Sequence, residues 1–300
     1  MDLPPSFVAA VTGAWPDGGP AFLARLPSLI RSCEQRWDLR LFEPFPLSYN
    51  YVAPGILTDG REVVVKLGVP NPELTTEIEA LRRYDGRGAV RLIEADAGLG
   101  VLLMERVRPG SPLAELRDDD EATVIAAEVM RRLWQPLPAQ HPFPELRRWT
   151  RALRQYASRY PGSNRPLPRK MVDKAVGRLD ELLVQPPESV LIHGDFHHWN
   201  VLRANREPWL AIDPKGVAAE RAFDVGPLFY NPVPDVFGWP DLQRVTRRRL
   251  DLLSEQLGLD RQRLTACAFV AAVLSACWSI EDGDDGAPPV LLIAGILDEV

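Results

Sequence analysis

The stretch LIHGDFHHWNVL, residues 191–202, sets an acid, two adjacent histidines and an asparagine between apolar residues. Asp195 and Asn200 stand on a short loop after the strand-like run SVLIH, and Asp213 ends the next strand-like run, WLAID. If those two runs pair as a hairpin, the three polar side chains emerge at one end. Asn200 and Asp213 then offer hard oxygen ligands, which suit a magnesium ion that keeps some water and also binds phosphates. Asp195 is left to accept a proton from a hydroxyl. Phosphoryl transfer to an alcohol needs that division: an oriented nucleophile and metal-neutralised phosphates. The competing reading is a polar hairpin whose Asp and Asn merely face solvent. The D-x-x-x-x-N spacing, followed by an acid at a strand end, weighs against it.

Lys66 is an independent test. It follows the β-branched run of VVVKLG, where an ammonium can reach the phosphates of a nucleotide, and Glu77, in a helical segment downstream, can hold it in place. A strand lysine ordinarily faces solvent; its order relative to the loop favours the functional reading.

The positioning elements follow from pattern. Residues 20–36 suit a first helix, with Phe22, Leu23, Leu26, Leu29 and Ile30 as its apolar positions. SYNYVAPGIL and REVVVKLG flank TDG, a hairpin turn. NPELTTEIEALRRYDG carries Leu74, Ile78 and Leu81 at helical spacing and stops at Gly86. AVRLIEAD and GVLLMERV read as two further strands around AGLG. From VRPGSP onward the pattern is mostly helical. The segment 118–134 opens with acids that complement the helix dipole and is expected to bury Ile125, Val129 and Leu133. Residues 170–184 repeat the helical period before Pro186 and Pro187, 136–144 form a Pro-rich loop, and helices near 240–257 and 261–280 complete the chain. The expected fold class is α+β in two lobes: residues 1–107, an antiparallel sheet lobe with a helix, expected to bind nucleotide, and 108–300, a mainly helical lobe, expected to serve catalysis and substrate.

This arrangement resembles the protein-kinase-like fold, and within it the aminoglycoside phosphotransferase family, from about residue 45 to about residue 280. IHGDFHHWNVL, then WLAIDPKG and ERAFD, looks like the streptomycin 6-phosphotransferase and hydroxyurea kinase branch, with DPKG where a D-F-G tripeptide stands in protein kinases. The resemblance implies ATP and Mg2+ as cofactors. It implies Lys66 on the α/β-phosphates with Glu77 as helix partner (Glu79 is the rival), Asp195 as catalytic base, and Asn200 and Asp213 as magnesium ligands. LLMERVRPG looks like the hinge between lobes, with Met104 behind the adenine and the backbone of Glu105 and Val107 hydrogen-bonded to it. The Gly-rich loop G-x-G-x-x-G is missing; LSYNYVAPG replaces it, and Ser48, Tyr49 and Asn50 at the turn can still contact phosphate.

Other polar residues carry weaker expectations. His193 reads as a brace for the loop backbone, and Asp224 as a helix cap that buttresses the loop. Lys215 either neutralises phosphate or pairs with a carboxylate. A metal site at His197 and His198 lacks a third ligand. In EDGDD, residues 281–285, Asp282, Asp284 and Asp285 can face a cationic substrate, although a solvated C-terminal loop is the default. The arginine run of 244–253 reads as a solvated face.

Composition bounds the partners. The 300 residues are 46% hydrophobic and carry a net charge of −6, which gives no general attraction for nucleic acid. Three cysteines without a CxxC spacing fit a reduced, cytoplasmic protein. The N-terminus lacks the basic region of a signal peptide, and the longest apolar run, 266–280, is too short to span a bilayer comfortably and reads as a core helix, so no membrane partner is expected. The expectation is a monomer or weak dimer that phosphorylates a hydroxyl of a small, cationic molecule such as streptomycin. The alternatives are a kinase for hydroxyurea, a sugar or another metabolite, or a silent binding module of kinase fold.

Overall fold

The computed structural model describes residues 2–160, 166–283 and 287–300. The chain divides into two compact units, Met1–Gly110 and Ser111–Val300.

The first unit opens with helices α1 (Pro5–Ala14) and α2 (Gly19–Trp37). Helix α1 is not announced by the sequence, because PSFVAAVTGA has no polar face to give a helical period. A five-stranded sheet follows: β1 (Leu39–Leu41), β2 (Tyr51–Leu57), β3 (Glu62–Leu67), β4 (Leu92–Asp96) and β5 (Val101–Glu105), with helix α3 (Pro72–Tyr84) between β3 and β4. The spatial order is β1-β2-β3-β5-β4 and each neighbouring pair is antiparallel. Strand side chains alternate between faces. Val63, Val65 and Leu67 therefore join a core with Phe7, Phe22 and Leu26 of the first two helices. Lys66 has the opposite parity and meets α3 on the other face. Asn71 caps α3 by accepting from the N–H groups of Glu73 and Leu74 at 2.8 and 3.0 Å, an arrangement worth about 1 kcal/mol. The helix closes on Asp85 at φ 49°, and Gly86 continues the left-handed turn.

The division between units falls inside strand β6 (Pro109–Pro112). The second unit contains α4 (Asp119–Leu133), β7 (Gln135–Pro136), α5 (Leu146–Trp149), α6 (Arg151–Arg159), α7 (Arg169–Val184), β8 (Val190–Ile192), β9 (Val201–Ala204), β10 (Trp209–Ala211), β11 (Val217–Ala219), α8 (Gly226–Phe229), α9 (Leu242–Leu257), α10 (Arg261–Asp282) and α11 (Ala287–Glu299). In α4 the buried face is Ala122, Ala126, Val129, Met130 and Leu133. Ile125, expected inside, is only half-buried, because the small alanines turn the packed face by a residue.

Three further expectations are corrected. The apolar run 266–280 belongs to a helix of 22 residues, long enough to cross a membrane, so the argument from length fails; Leu264 through Cys277 nevertheless supply its buried face in the unit's core. The chain does not end its helices at 280. Helix α11 follows, and its Pro288 and Pro289 sit in the first turn, where the missing N–H would have no helical partner anyway. The arginine run of α9 is not wholly a solvated face: Arg249 is 1% exposed and pairs with Asp119 at 2.6 Å, while Arg248 pairs with Asp120 on the surface.

Candidate active site

In the first unit, Lys66 and Glu77 are 4% and 6% exposed. The Lys66 ammonium donates to both Glu77 oxygens, at 2.7 and 2.9 Å. A buried charge of either sign is costly alone, so each residue fixes the other. Glu79 lies on the outer side of α3 and pairs with Arg82 at 2.5 Å. Ser48 is exposed in the bend before β2. Glu105 ends β5; its N–H donates to the Arg91 carbonyl at 3.0 Å, so that donor is already used. Val107 follows in an extended segment, and Met104 is buried in register with Val64 and Leu92.

In the second unit the expected hairpin of SVLIH with WLAID does not form. VLRA, residues 201–204, is itself a strand, and β10 pairs with it across a tight turn. Strand β8 pairs instead with β11. The polar loop is gathered by other means. Ile212 N–H donates to Asn200 O at 2.9 Å, and Lys215 N–H donates to His193 O at 2.8 Å. Asp213 lies between these two clamps, at φ 57° in the left-handed region that Asp tolerates better than most residues. The residue before Asp213 is thereby tied to the Asn200 backbone without the hairpin.

Each loop residue has a defined support. Gly194 adopts φ +84°, and a Cβ there would stand 2.8 Å from Val217 Cγ2, so only glycine fits. The His193 ring is fully buried, with Nε2 2.8 Å from Ile212 O and Nδ1 accepting from Asp195 N–H at 3.2 Å. That is a brace across the loop. Burial lowers its pKa, which keeps the ring neutral. Asp224 accepts from Gly194 N–H at 2.9 Å, His193 N–H at 3.1 Å and Trp134 Nε1–H at 2.9 Å. It buttresses the loop, but its side chain caps no helix. Burial pushes its carboxyl up, and His193 and the three donors pull it back.

Asp195 differs from its supports in being 39% exposed at the side chain, with His197 Nε2 3.7 Å from Oδ2. The Asn200 amide donates to Asp195 O at 3.1 Å. That hydrogen bond uses its nitrogen and leaves Oδ1 for a cation. An amide oxygen and a carboxylate, the donor types of Asn200 and Asp213, are those that a water-retaining magnesium ion takes, so their chemistry fits that ion. Tyr230 is buried nearby; burial raises its pKa and the Asp195 charge raises it further. The buried ring of His198 has no hydrogen-bond partner at either nitrogen, and no group of three metal-ligating side chains occurs among the described residues.

Glu281 and Asp282 are the last residues of α10 rather than part of a loop, and Glu281 lies 3.8 Å from Arg159. Asp284 and Asp285 lie outside the described residues. Sequence reasoning missed Trp134 and Arg249. Both act through partners 90 and 130 residues away, and no local pattern signals that.

Comparison with known proteins gives a consistent result. The family model described as aminoglycoside/hydroxyurea antibiotic resistance kinase matches residues 48–283. A streptomycin 6-kinase of Streptomyces glaucescens is 34% identical over 291 residues, covering 96% of this chain and 94% of that protein. A hydroxyurea phosphotransferase of Kitasatospora aureofaciens is 34% identical over 278 residues, covering 90% and 78%. Among solved structures, the choline kinase LicA from Streptococcus pneumoniae superposes with a TM-score of 0.64 at 14% identity, over 92% of this chain and 100% of that one, a likeness of fold. The sheet unit with its helix and the mainly helical second unit are those of a protein-kinase-like fold. The chain belongs to the aminoglycoside/hydroxyurea antibiotic resistance kinase family and is an ATP-dependent phosphotransferase acting on a small hydroxylated molecule.

Proposed function

We propose that this protein transfers the γ-phosphoryl group of ATP to a hydroxyl of streptomycin, with Asp195 as the catalytic base. One observation carries the chemistry: an accessible carboxylate on a loop whose backbone is held by hydrogen bonds at His193, Gly194 and Asp195. Asp195 Oδ2 takes the proton of the acceptor hydroxyl as its oxygen bonds to the γ-phosphorus. The bond from that phosphorus to the β–γ bridging oxygen breaks, and ADP leaves with the electron pair. Lys66, fixed by Glu77, supplies positive charge to the phosphates, where negative charge shifts during transfer. Asn200 Oδ1 and the Asp213 carboxylate would hold magnesium, which when bound neutralises phosphate charge. Ser48 contacts phosphate, and the Glu105 carbonyl and Val107 N–H serve the adenine.

Streptomycin is preferred over hydroxyurea because the correspondence with the streptomycin 6-kinase spans both chains nearly end to end, whereas the hydroxyurea enzyme extends beyond the match. The net charge of −6 suits a cationic acceptor. Asp282, Asp284 and Asp285 are proposed as carboxylates toward that cation. Dependence on ATP fits action in the cytoplasm. The test is an ADP-release assay with streptomycin, other aminoglycosides, hydroxyurea and simple sugars. Turnover is expected with streptomycin; turnover with hydroxyurea or a sugar alone would transfer the assignment to that acceptor.

A further inference from the structure

Few large apolar side chains of the second unit reach solvent, and one of them adjoins the loop that carries Asp195. Trp199 is 40% exposed, in the short 3₁₀ turn His198–Asn200. Its indole is not loose. Nε1–H donates to the Val233 carbonyl at 3.1 Å, which fixes the ring against the segment 231–238. That segment is itself immobilised. Arg249, buried and paired with Asp119, donates to the carbonyls of Leu228 and Asn231, the latter at 2.8 Å. Asn231 donates to Pro227 O at 3.0 Å and accepts from Val233 N–H at 3.3 Å. Two residues beyond Val233, Asp235 is exposed at the start of a 3₁₀ turn, with no ion pair among the described residues.

A solvent-facing indole held in one orientation costs apolar exposure. Here it comes with an unpaired carboxylate on the segment that anchors it. An aromatic face and a carboxylate are the two groups that recognise an organic cation, the face through its quadrupole and the acid through charge-assisted hydrogen bonds. We infer that Trp199 and Asp235 form a cation subsite beside the Asp195 loop, taking a guanidinium or ammonium group of the molecule to be phosphorylated. The ring faces one side of the cation and the carboxylate pairs with its N–H groups. Both residues act on specificity and not on the transfer step. This inference rests on the proposed reading of the acceptor as cationic.

The test is calorimetric titration of the full-length protein with streptomycin, beside separate titration with ATP and magnesium. Trp199→Leu removes the ring, Trp199→Phe keeps a ring without its anchor, and Asp235→Asn removes the charge at a position outside the catalytic loop. Streptomycin Kd is expected to rise about tenfold in Trp199→Leu and in Asp235→Asn, and less in Trp199→Phe, with ATP binding unchanged. Raising the salt concentration should weaken the wild type more than Asp235→Asn. Unchanged streptomycin Kd in Asp235→Asn and Trp199→Phe, or no binding to the wild type, overturns the subsite. Binding without turnover would contradict the proposed reaction while leaving the subsite in place.

Discussion

Lys66 and Asp195 are both charged, and the two units hold them in opposite ways. Lys66 is buried, and the Glu77 carboxylate holds its ammonium at 2.7 Å. Asp195 keeps more than a third of its side chain in solvent, and what is fixed is the backbone on either side of it. The difference separates two ways of making a charge useful. A charge that must stay in place is buried and balanced, so losing one partner destabilises the fold. A charge that must exchange a proton is left accessible, and its precision comes from neighbours such as His193 and Asp224. Function and stability should therefore come apart at Asp195 and stay together at Lys66.

The largest effect is expected from Asp195→Asn. The substitution keeps the shape and removes the proposed proton acceptor. Turnover should fall by about 10²–10⁴-fold, while Tm and ATP affinity stay near wild type, because among the described residues no hydrogen bond of its carboxylate supports the loop. A loss of Tm alongside activity would place Asp195 with the structural charges.

Glu77→Ala probes the opposite case. It removes the carboxylate that accepts from a buried ammonium, and the expected loss is about 3–5 kcal/mol of stability together with activity, read by denaturant unfolding. The double variant Lys66→Met, Glu77→Leu should recover most of the stability and none of the activity. Glu79→Ala should be within about 0.5 kcal/mol of wild type, since its pair with Arg82 is on the surface.

Between these in size stands Trp134→Phe. It removes one of three donors to the buried Asp224 carboxylate. A cost of about 1–3 kcal/mol is expected, from an acceptor left partly unsatisfied. Because Asp224 also holds His193 and Gly194, the KM for the acceptor should rise while ATP binding holds. An unchanged KM would show that the buttress serves stability alone.

The cysteines give the smallest effect. Burial pushes Cys33 up to about 11 and Cys277 up to about 12, and Cys267 well above its ordinary value. At pH 8 all three should be unreactive thiols in the native state, reacting with a maleimide only after unfolding; fast labelling of the folded protein would show otherwise.

The sequence is informative where the signal is local. The β-branched run of β3, the helical period of α3 and its stop at Gly86 are enough to put Lys66 and its helix in order, and the fold class follows from sheet preceding helix. It is less informative where a signal is missing or distant. Helix α1 has no polar face, and the prolines that open α11 read as breakers. The hairpin of SVLIH with WLAID fails because strands of three or four residues can pair in more than one way, and register is settled by partners such as β11 that the loop itself does not reveal. Arg249 reads as surface because it stands among Arg247, Arg248 and Asp251; only the fold brings Asp119 to it.

In the proposed reaction, Asp195 activates a hydroxyl of streptomycin for attack on the γ-phosphate of ATP. Its most direct test is mass spectrometry of streptomycin incubated with ATP, magnesium and the purified protein, wild type beside Asp195→Asn. One added phosphoryl group, formed by the wild type and reduced by at least about 10² in the variant, is the predicted result. Unmodified streptomycin with the wild type, or equal phosphorylation by both proteins, would contradict it.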